Sequence, residues 1–377
     1  MAMILTDDQV MLRDTARDFL AGEGSISRQL RHLRDTGCTD GFGHALWRRF
    51  GELGLTGICI PEASGGLGLG AVEAGVVLEE IGRNLTPSPF LMTAIAAARA
   101  LDGSAQAERW YPGILAGETV AALAIDEGRH HSPEATALAA TRSGNGFTLS
   151  GAKQFVVHGA SADVLIVAAR TAGSPGERDG ITLFAVEQGA SGLRVDNFVL
   201  ADTSKAARVQ FDAVAVGGDA VIGEVDGGWA PLARALNAAR AGAAAELVGV
   251  AAGASTMTLD YLKQRKQFGR LIGEFQALQH RAAHLFGEIE IARAAAMKAA
   301  QLLDAGSAEA ERMVSVAKAK AARAAALSVQ EGVQMHGGIG MTDEYDIGLF
   351  MKREAVLSAL MGDPRFHTAR VAELSGY

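Results

Sequence analysis

The spacing of apolar residues changes twice along the chain, and this change constrains the fold more than any other feature. Up to about residue 118 the apolar positions recur at helical intervals, and Thr6 with Gln9 has capping-box spacing at the first helix. Between about 119 and 222, short apolar runs such as 163–169 and 181–186 alternate with turn residues, as in strands. Helical spacing then returns, so the sequence predicts a helical, a β and a second helical block.

These blocks predict an α+β protein with three domains. We expect an N-terminal helical domain at 1–118, a middle antiparallel β-barrel or sandwich domain at 119–222, and a C-terminal four-helix bundle domain at 223–377. The bundle helices are expected at about 233–265, 275–305, 308–335 and 344–360. Alanine is abundant and aromatic residues make up only 6% of the chain, which predicts close helix packing through small side chains.

Composition excludes several classes of protein. The net charge is −8 and Lys and Arg are not clustered, so we expect no nucleic-acid binding. The two cysteines, Cys38 and Cys59, have no metal-site spacing and form no disulfide framework, and we expect no metal. Apolar stretches are interrupted before the roughly 18 residues of a membrane span, and no signal peptide is expected. We therefore predict a cytoplasmic protein.

Two segments of the third block contain residues suited to a dinucleotide cofactor. The first is Gln264-Arg265-Lys266-Gln267-Phe268-Gly269 with Phe275-Gln276, and the second is Gln334-Met335-His336-Gly337-Gly338-Ile339-Gly340. A pyrophosphate requires a guanidinium fork and backbone N–H groups, and glycine permits a close approach. The loop at 61–70 and the segments 149–153 and 202–212 also have counterparts in a known family. Together with the two cofactor segments, and in their order along the chain, they make nearly the whole chain resemble the acyl-CoA dehydrogenase family.

The resemblance implies FAD as the cofactor and α,β-dehydrogenation of an acyl-CoA thioester to the enoyl-CoA as the reaction. It implies that Arg265 reaches the FAD of a neighbouring subunit and that Arg240 belongs to the acyl-CoA site. The implied FAD contacts are Arg265, Gln267, Phe268, Gln276, Gln334, Gly337, Gly338, Phe155 and Val157. It also implies fatty acid or steroid side-chain degradation, a tetramer, and electron-transfer flavoprotein or a similar acceptor as the partner that reoxidises the flavin.

The chain departs from the family at the catalytic base. The family's glutamate, followed by glycine and threonine, comes shortly after the segment that corresponds to 353–355. Either Met361 or Gly362 takes its place here, depending on whether one residue is gapped, and neither accepts a proton. Some members carry the glutamate on the long helix instead, where this chain has Ala239.

Two carboxylates remain as candidate bases. Glu246 lies seven residues beyond Ala239, on nearly the same helix face and roughly 10 Å along the axis. Its alternative role is a charge pair with another helix of the bundle. Asp363 follows the missing glutamate by one or two residues, and its alternative role is to cap the turn before Pro364.

The flavin-facing segments are altered, whereas the neighbour-facing segments of Arg265 and Gln334 are intact. Phe155 and Val157 replace the family's tryptophan and threonine, and valine lacks the hydroxyl that hydrogen-bonds the flavin. This asymmetry favours a subunit that completes a partner's FAD site, as in the heteromeric acyl-CoA dehydrogenases of bacterial steroid side-chain degradation. A homo-oligomer with an atypical base, a non-catalytic partner subunit, and a flavin-dependent monooxygenase or oxidase remain alternatives.

Overall fold

The structure, a computed structural model, describes residues 3–377. Its helices and strands follow the predicted order, a helical block, a β block and a second helical block, which confirms the α+β class. The chain forms two compact units. The helical unit contains the residues up to His32 together with Ala71–Pro87 and Arg240–Tyr377, and the sheet unit contains Leu33–Gly70 and Ser88–Ala239.

The first block begins with the predicted capping box, in which Thr6 Oγ1 accepts the backbone N–H of Gln9 and Gln9 Oε1 accepts the backbone N–H of Thr6. A π-helical stretch, Phe90–Ala97, precedes the fifth helix. The α-helices of this block are α1 Asp7–Gly22, α2 His32–Asp35, α3 His44–Glu52, α4 Ala71–Asn84, α5 Ala98–Leu101 and α6 Ala105–Leu115.

The β block forms one sheet in the order β6-β7-β3-β2-β4-β5-β8, with β1 paired to β4. Its strands are β1 Ala121–Ala124, β2 Ala139–Ser143, β3 Gly146–Val157, β4 Val164–Arg170, β5 Ile181–Glu187, β6 Leu193–Val199, β7 Lys205–Gly217 and β8 Val221–Ile222. Most neighbours are antiparallel, as expected, but β4 runs parallel to β1 and to the first residue of β2, Ala139. Both β1 and β4 are buried along their whole length, and a continuous apolar run does not specify strand direction.

The third block contains the four predicted bundle helices and one more. Its helices are α7 Trp229–Gln264, α8 Gln276–Asp304, α9 Ala310–His336, α10 Ile347–Ala359 and α11 Pro364–Leu374. A hairpin of β9 Lys266–Gln267 and β10 Arg270–Leu271 connects α7 to α8. The sequence signal for α11 is Asp363 at the N-cap followed by Pro364 at the first helical position.

Small residues allow the helices of the helical unit to pack closely, as the alanine content predicts. Alanines of α7, α8 and α9 form much of its core. Where α4 crosses α7, a Cβ on Gly82 would lie 2.1 Å from the carbonyl oxygen of Glu246. A Cβ on Gly249 would lie 2.0 Å from the carbonyl oxygen of Glu79, so a larger side chain at either glycine would push the two helices apart.

Helix α7 is long and apolar enough to cross a membrane by length and composition alone. However, 83% of its most apolar stretch is buried inside the protein. We therefore interpret α7 as a core helix, because a membrane-spanning helix would present its apolar surface to lipid.

Candidate cofactor and active site

The two predicted neighbour-facing FAD segments lie at the same end of the helical unit. Arg265 directly follows α7, and Gln334 lies in the last turn of α9. The β9–β10 hairpin after Arg265 turns through Phe268 and Gly269, which have φ values of +55° and +79°. A small apolar cluster joins α7, α8 and α9 here, so that packing holds the two segments near each other; its buried members are Leu262, Leu285 and Met335.

The side chains that the resemblance assigns to a neighbour's FAD are exposed at this end. Phe268 is 91% exposed, and the polar members are exposed as well: Arg265, Gln267, Gln276 and Gln334. Gly337 has a φ of +66°, and a Cβ on Gly337 or Gly338 would meet no atom within 4 Å. An exposed guanidinium beside open glycine backbone fits a pyrophosphate-bearing cofactor that approaches from outside this chain.

Phe155 and Val157 lie at the end of β3 in the sheet unit. The pairing of β3 with β7 is irregular between Lys153 and Val156, and Phe155 takes a φ of +53° there. The Phe155 ring is 52% exposed and meets Phe198 edge-on, with 5.9 Å between the ring centroids. An exposed flat ring therefore remains available to a flavin, whereas half-buried Val157 offers no hydrogen-bonding group.

The segment Ile125-Asp126-Glu127, which follows β1, is held by a buried lysine of β3. Lys153 Nζ donates to the carbonyl oxygen of Ile125 at 2.8 Å and to Glu127 Oε1 at 2.7 Å. The same carboxylate accepts the backbone N–H groups of Ala137 and Leu138. Burial lowers the pKa of Lys153, while the charge of Glu127 acts in the opposite direction. The carboxylate of Glu127 thus serves to hold this loop in place.

The turn to which the resemblance assigns the family's base, at Met361 and Gly362, lies between α10 and α11. Met361 is buried and has a φ of +54°. Gly362 has a φ of +107°, and a Cβ at this residue would lie 2.3 Å from a ring carbon of Phe366. Glycine is therefore required at residue 362, because the backbone is strained for other residues and the space is filled.

Arg240, expected in the acyl-CoA site, contacts this turn. The side chain is buried, and its Nε donates to the carbonyl oxygen of Met361 at 3.3 Å. Its guanidinium carbon also lies 5.4 Å from the centroid of the Phe366 ring. In this structure Arg240 therefore supports the turn, and contact with a substrate stays a prediction.

Lys318 of α9 is a second buried cation at the turn, and the sequence reasoning missed it. Its Nζ donates to the carbonyl oxygens of Leu357 at 2.8 Å, Ser358 at 3.1 Å and Gly362 at 3.3 Å. The signal was a lysine directly after the core residue Ala317, in an alanine-rich stretch of α9. Uncompensated lysines seldom occupy such a position without a specific partner.

Both candidate bases have structural partners. Glu246 is 1% exposed and its Oε1 accepts hydrogen bonds from Arg353 of α10, from Nε at 3.0 Å and also from Nη2. Asp363 Oδ1 accepts the backbone N–H groups of Arg365 at 2.9 Å and Phe366 at 2.8 Å, as the N-cap of α11. These are the alternative roles that the sequence left open, and action as a base would require either contact to be broken.

Replacement of Gly362 by alanine should destabilise the protein. Backbone strain and the clash with Phe366 together cost about 2–5 kcal/mol of the free energy of unfolding, which urea titration measures. The control is Gly22→Ala at the end of α1, where a Cβ meets nothing within 4 Å and stability should rise by up to about 1 kcal/mol. Equal stabilities of the two variants would contradict the requirement for glycine at 362.

Neither a disulfide bond nor a metal-binding cluster is found in the part of the chain that the structure describes. Within the described residues, Cys38 and Cys59 form no disulfide bond. Within residues 3–377, no group of three or more His, Cys, Asp or Glu side chains is placed to hold a metal ion. The candidate site residues of the helical unit are the two cofactor segments and the turn with its two buried cations, and the candidate of the sheet unit is the exposed ring of Phe155.

The chain has a helical, a β and a second helical block, and an exposed arginine turn and a glycine segment lie at one end of the helical unit. This is the arrangement that the resemblance to a flavoprotein family predicts. Family models agree along the chain: acyl-CoA dehydrogenase N-terminal domain at 6–118, middle domain at 123–214 and C-terminal domain at 226–374. The chain belongs to the acyl-CoA dehydrogenase family of oxidoreductases, and its cofactor is FAD.

Relatives and solved structures agree with this family. The chain is 33% identical over 322 residues to acyl-CoA dehydrogenase FadE12 of Mycobacterium tuberculosis, covering 81% of each protein. A variant of the Tcur3481-Tcur3483 steroid ACAD matches with a TM-score of 0.87 and 31% identity over 98% of each chain. Butyryl-CoA dehydrogenase from Megasphaera elsdenii matches with a TM-score of 0.89 and 25% identity over 99% of each chain.

Proposed function

We propose that this chain is one subunit of a heteromeric acyl-CoA dehydrogenase and that the α-proton of the acyl-CoA is removed by a base of the partner subunit. In this assembly, Arg265 and Gln334 contact FAD that is bound mainly by the partner. Bound FAD supplies the acceptor for the β-hydride of the thioester. The acyl chain is that of a fatty acid or a steroid side chain.

The turn at Met361 and Gly362 carries this proposal. The glycine required at 362 supports an alignment with the family's glycine that follows the glutamate, and in that alignment Met361 stands where the base would be. Abstraction of a weakly acidic α-proton needs a positioned carboxylate, and methionine has no ionisable group. The remaining candidates, Glu246 and Asp363, already bind Arg353 and the first turn of α11.

The asymmetry of the cofactor segments supports the same assembly. The exposed set around Arg265 fits a neighbour's cofactor, whereas the flavin-facing set has lost a hydroxyl at Val157. The similar steroid ACAD is named for two components, Tcur3481 and Tcur3483. The electron acceptor in this proposal, an electron-transfer flavoprotein or a similar protein, is the one that the family resemblance implies.

Other features of the proposal follow from the family and from the blocks of the sequence. We place the protein in the cytoplasm, with domains at 1–118, 119–222 and 223–377. Arg240 supports the turn through the bond from its Nε to the carbonyl oxygen of Met361 and belongs to the acyl-CoA site.

Copurification from the native source tests the assembly. A heteromer should yield a second acyl-CoA dehydrogenase-like chain in equal amount, with fewer bound flavins than chains in total. A single kind of chain with every flavin site filled would contradict the proposal and favour a homo-oligomer.

The second candidate function is a homo-oligomeric dehydrogenase in which Glu246 acts as the base. It is favoured by one observation, the position of Glu246 on the same rigid helix as Arg240. In the proposed heteromer, Glu246→Gln should leave the rate of flavin reduction by acyl-CoA unchanged. It should destabilise the fold by roughly 1–3 kcal/mol, because Arg353 loses its charged partner.

Rapid-mixing measurement of flavin reduction in the purified complex separates the two candidates. Glu290→Gln is the matched control, because Glu290 pairs with Arg293 at a more exposed site in the same unit. Loss of flavin reduction in Glu246→Gln, with FAD still bound and the control active, would establish the homo-oligomeric mechanism instead.

A further inference from the structure

Three aromatic side chains of the helical unit meet next to the arginine turn and the glycine segment. They are Tyr261 on α7, His336 at the end of α9, and Tyr345 in the loop before α10. The centroid of the His336 ring lies 4.5 Å from that of Tyr261 and 4.7 Å from that of Tyr345. The two tyrosine rings meet edge-on at 5.9 Å, so each ring contacts the other two. We call these three rings the aromatic cluster.

Two members of the aromatic cluster are directly joined to the cofactor segments. The carbonyl oxygen of Tyr261 accepts the backbone N–H of Arg265 at 2.9 Å, so Tyr261 lies one helical turn before the arginine. His336 is followed at once by Gly337, whose φ of +66° and ψ of −143° are a conformation that glycine adopts readily. The contact between the Tyr261 and His336 rings therefore helps to set the distance between the arginine turn and the glycine segment.

His336 is buried, and the backbone of α9 orients its ring. Because a carbonyl oxygen only accepts, Nδ1 donates to the carbonyl oxygen of Gly332, at 2.7 Å. Nε2 is buried and has no hydrogen-bond partner among the described residues. A Cβ on Gly332 would lie 2.9 Å from Thr258 Oγ1 of α7 and 2.8 Å from Ile347 Cδ1 of α10. The imidazole thus serves mainly as a flat contact surface where three helices approach closely.

An arginine of the N-terminal segment holds the loop that carries Tyr345. Arg31 Nε donates to Asp346 Oδ1 at 2.7 Å, and its Nη2 donates to the carbonyl oxygen of Asp343 at 2.8 Å. Arg31 belongs to the same compact unit as this loop. A planar guanidinium that binds both ends of the segment 343–346 restricts its motion. Tyr345 is therefore held in place against His336.

We propose that His336 is a positioning residue for FAD, which through the aromatic cluster sets the separation between Arg265 and the backbone at Gly337. Both of these residues are exposed, so packing inside the unit has to fix their relative position. Two contact groups that are already correctly spaced bind more tightly, because less ordering is needed when the cofactor binds. The inference rests on the proposed function in one respect, that these two segments contact FAD.

The dissociation constant for FAD in the assembled complex, followed by flavin fluorescence, tests this inference. His336→Ala should weaken FAD binding by about tenfold, because the two segments lose their spacing. His336→Phe keeps a flat ring of similar size and should restore the affinity to within about threefold of the wild type.

His367→Ala is the matched control for His336→Ala. It also removes a buried imidazole from the helical unit, but the ring of His367 contacts Ser315 and Phe366 instead of the aromatic cluster. This variant should lower stability and leave the FAD affinity within about threefold of the wild type.

A double-mutant cycle with Arg265→Ala separates positioning from a general loss of stability. If the aromatic cluster acts by placing Arg265, the arginine contributes little once the His336 ring is removed. The double variant should then bind FAD at most about threefold more weakly than the weaker-binding single variant. Independent effects would instead multiply.

Tyr345→Leu repeats the cycle if His336→Ala does not fold, because Tyr345 is only half-buried, and Tyr345→Phe is its ring-preserving control. Multiplying effects in the cycle, or an unchanged FAD affinity in His336→Ala, would overturn the inference while Arg265 remained a cofactor contact. An unchanged FAD affinity in Arg265→Ala would overturn the assignment of the cofactor segments and the inference together. The heteromer is tested separately, by copurification.

Discussion

The purified chain without a partner, supplied with excess FAD, should show no flavin reduction when it is mixed with acyl-CoA thioesters. Addition of the second subunit should raise the rate of flavin reduction by about 10²–10⁴-fold, the contribution typical of a positioned general base. The physical reason is the apolar turn, where Met361 and Gly362 offer no group that accepts the α-proton. Rapid mixing with a panel of straight-chain and steroid acyl-CoA thioesters measures this rate.

The double variant Glu246→Gln with Asp363→Asn provides the control for this experiment. In the proposed heteromer it should reduce stability but keep the rate of flavin reduction per assembled complex. Rapid flavin reduction by the wild-type chain alone would contradict the partner-supplied base. If the lone chain remained fully active with both carboxylates neutralised, neither the partner's base nor these two residues would explain the chemistry.

Arg265→Ala should weaken FAD binding by roughly ten- to a hundredfold in the assembled protein. Loss of a charge-assisted hydrogen bond to a phosphate costs about 1.5–3 kcal/mol, and every 1.4 kcal/mol is a tenfold change in affinity. Arg265 is exposed at the end of α7, so its removal should change FAD affinity without a comparable loss of stability. Fluorescence titration of the apo complex with FAD measures the dissociation constant.

Lys263→Ala is the matched control for Arg265→Ala. Lys263 is also exposed and lies two residues earlier, in the last turn of α7, but it falls outside the segment that resembles the family's arginine turn. We expect its FAD affinity to stay within about threefold of the wild type, a difference of less than 1 kcal/mol. Equal affinities of the Arg265 variant and the wild type, with the partner present, would remove Arg265 from the cofactor site.

Much of the architecture follows from local sequence patterns. Two such patterns are the capping box at Thr6 and Gln9 and the helical spacing after residue 223. Both arise from residues that lie within one or two helical turns of each other. Such patterns predicted the order of blocks, four of the five C-terminal helices and the small-residue packing. The motifs around Arg265 and Gln334 added the family, because several motifs in the correct order are specific even when each alone is weak.

The tertiary structure decided which residues meet across the helical unit. Glu246 and Arg353 are more than a hundred residues apart along the chain, so no local pattern shows that one neutralises the other. The contacts of Arg240 and Lys318 with the turn are equally non-local. The parallel direction of β1, and the exposed Phe155 ring at a strand irregularity, likewise depend on pairing with distant strands.

From the sequence by itself we predict that the family's base is absent, because residue identity decides whether a side chain can ionise. The sequence did not determine whether Met361 or Gly362 stands in the base's place. The structure favours Met361, since the φ of Gly362 and the nearby Phe366 ring leave room only for glycine. Steric fit and charge pairing depend on atoms that only folding brings together. Steric fit and charge pairing therefore decide which of the remaining polar groups support the turn and which face the cofactor.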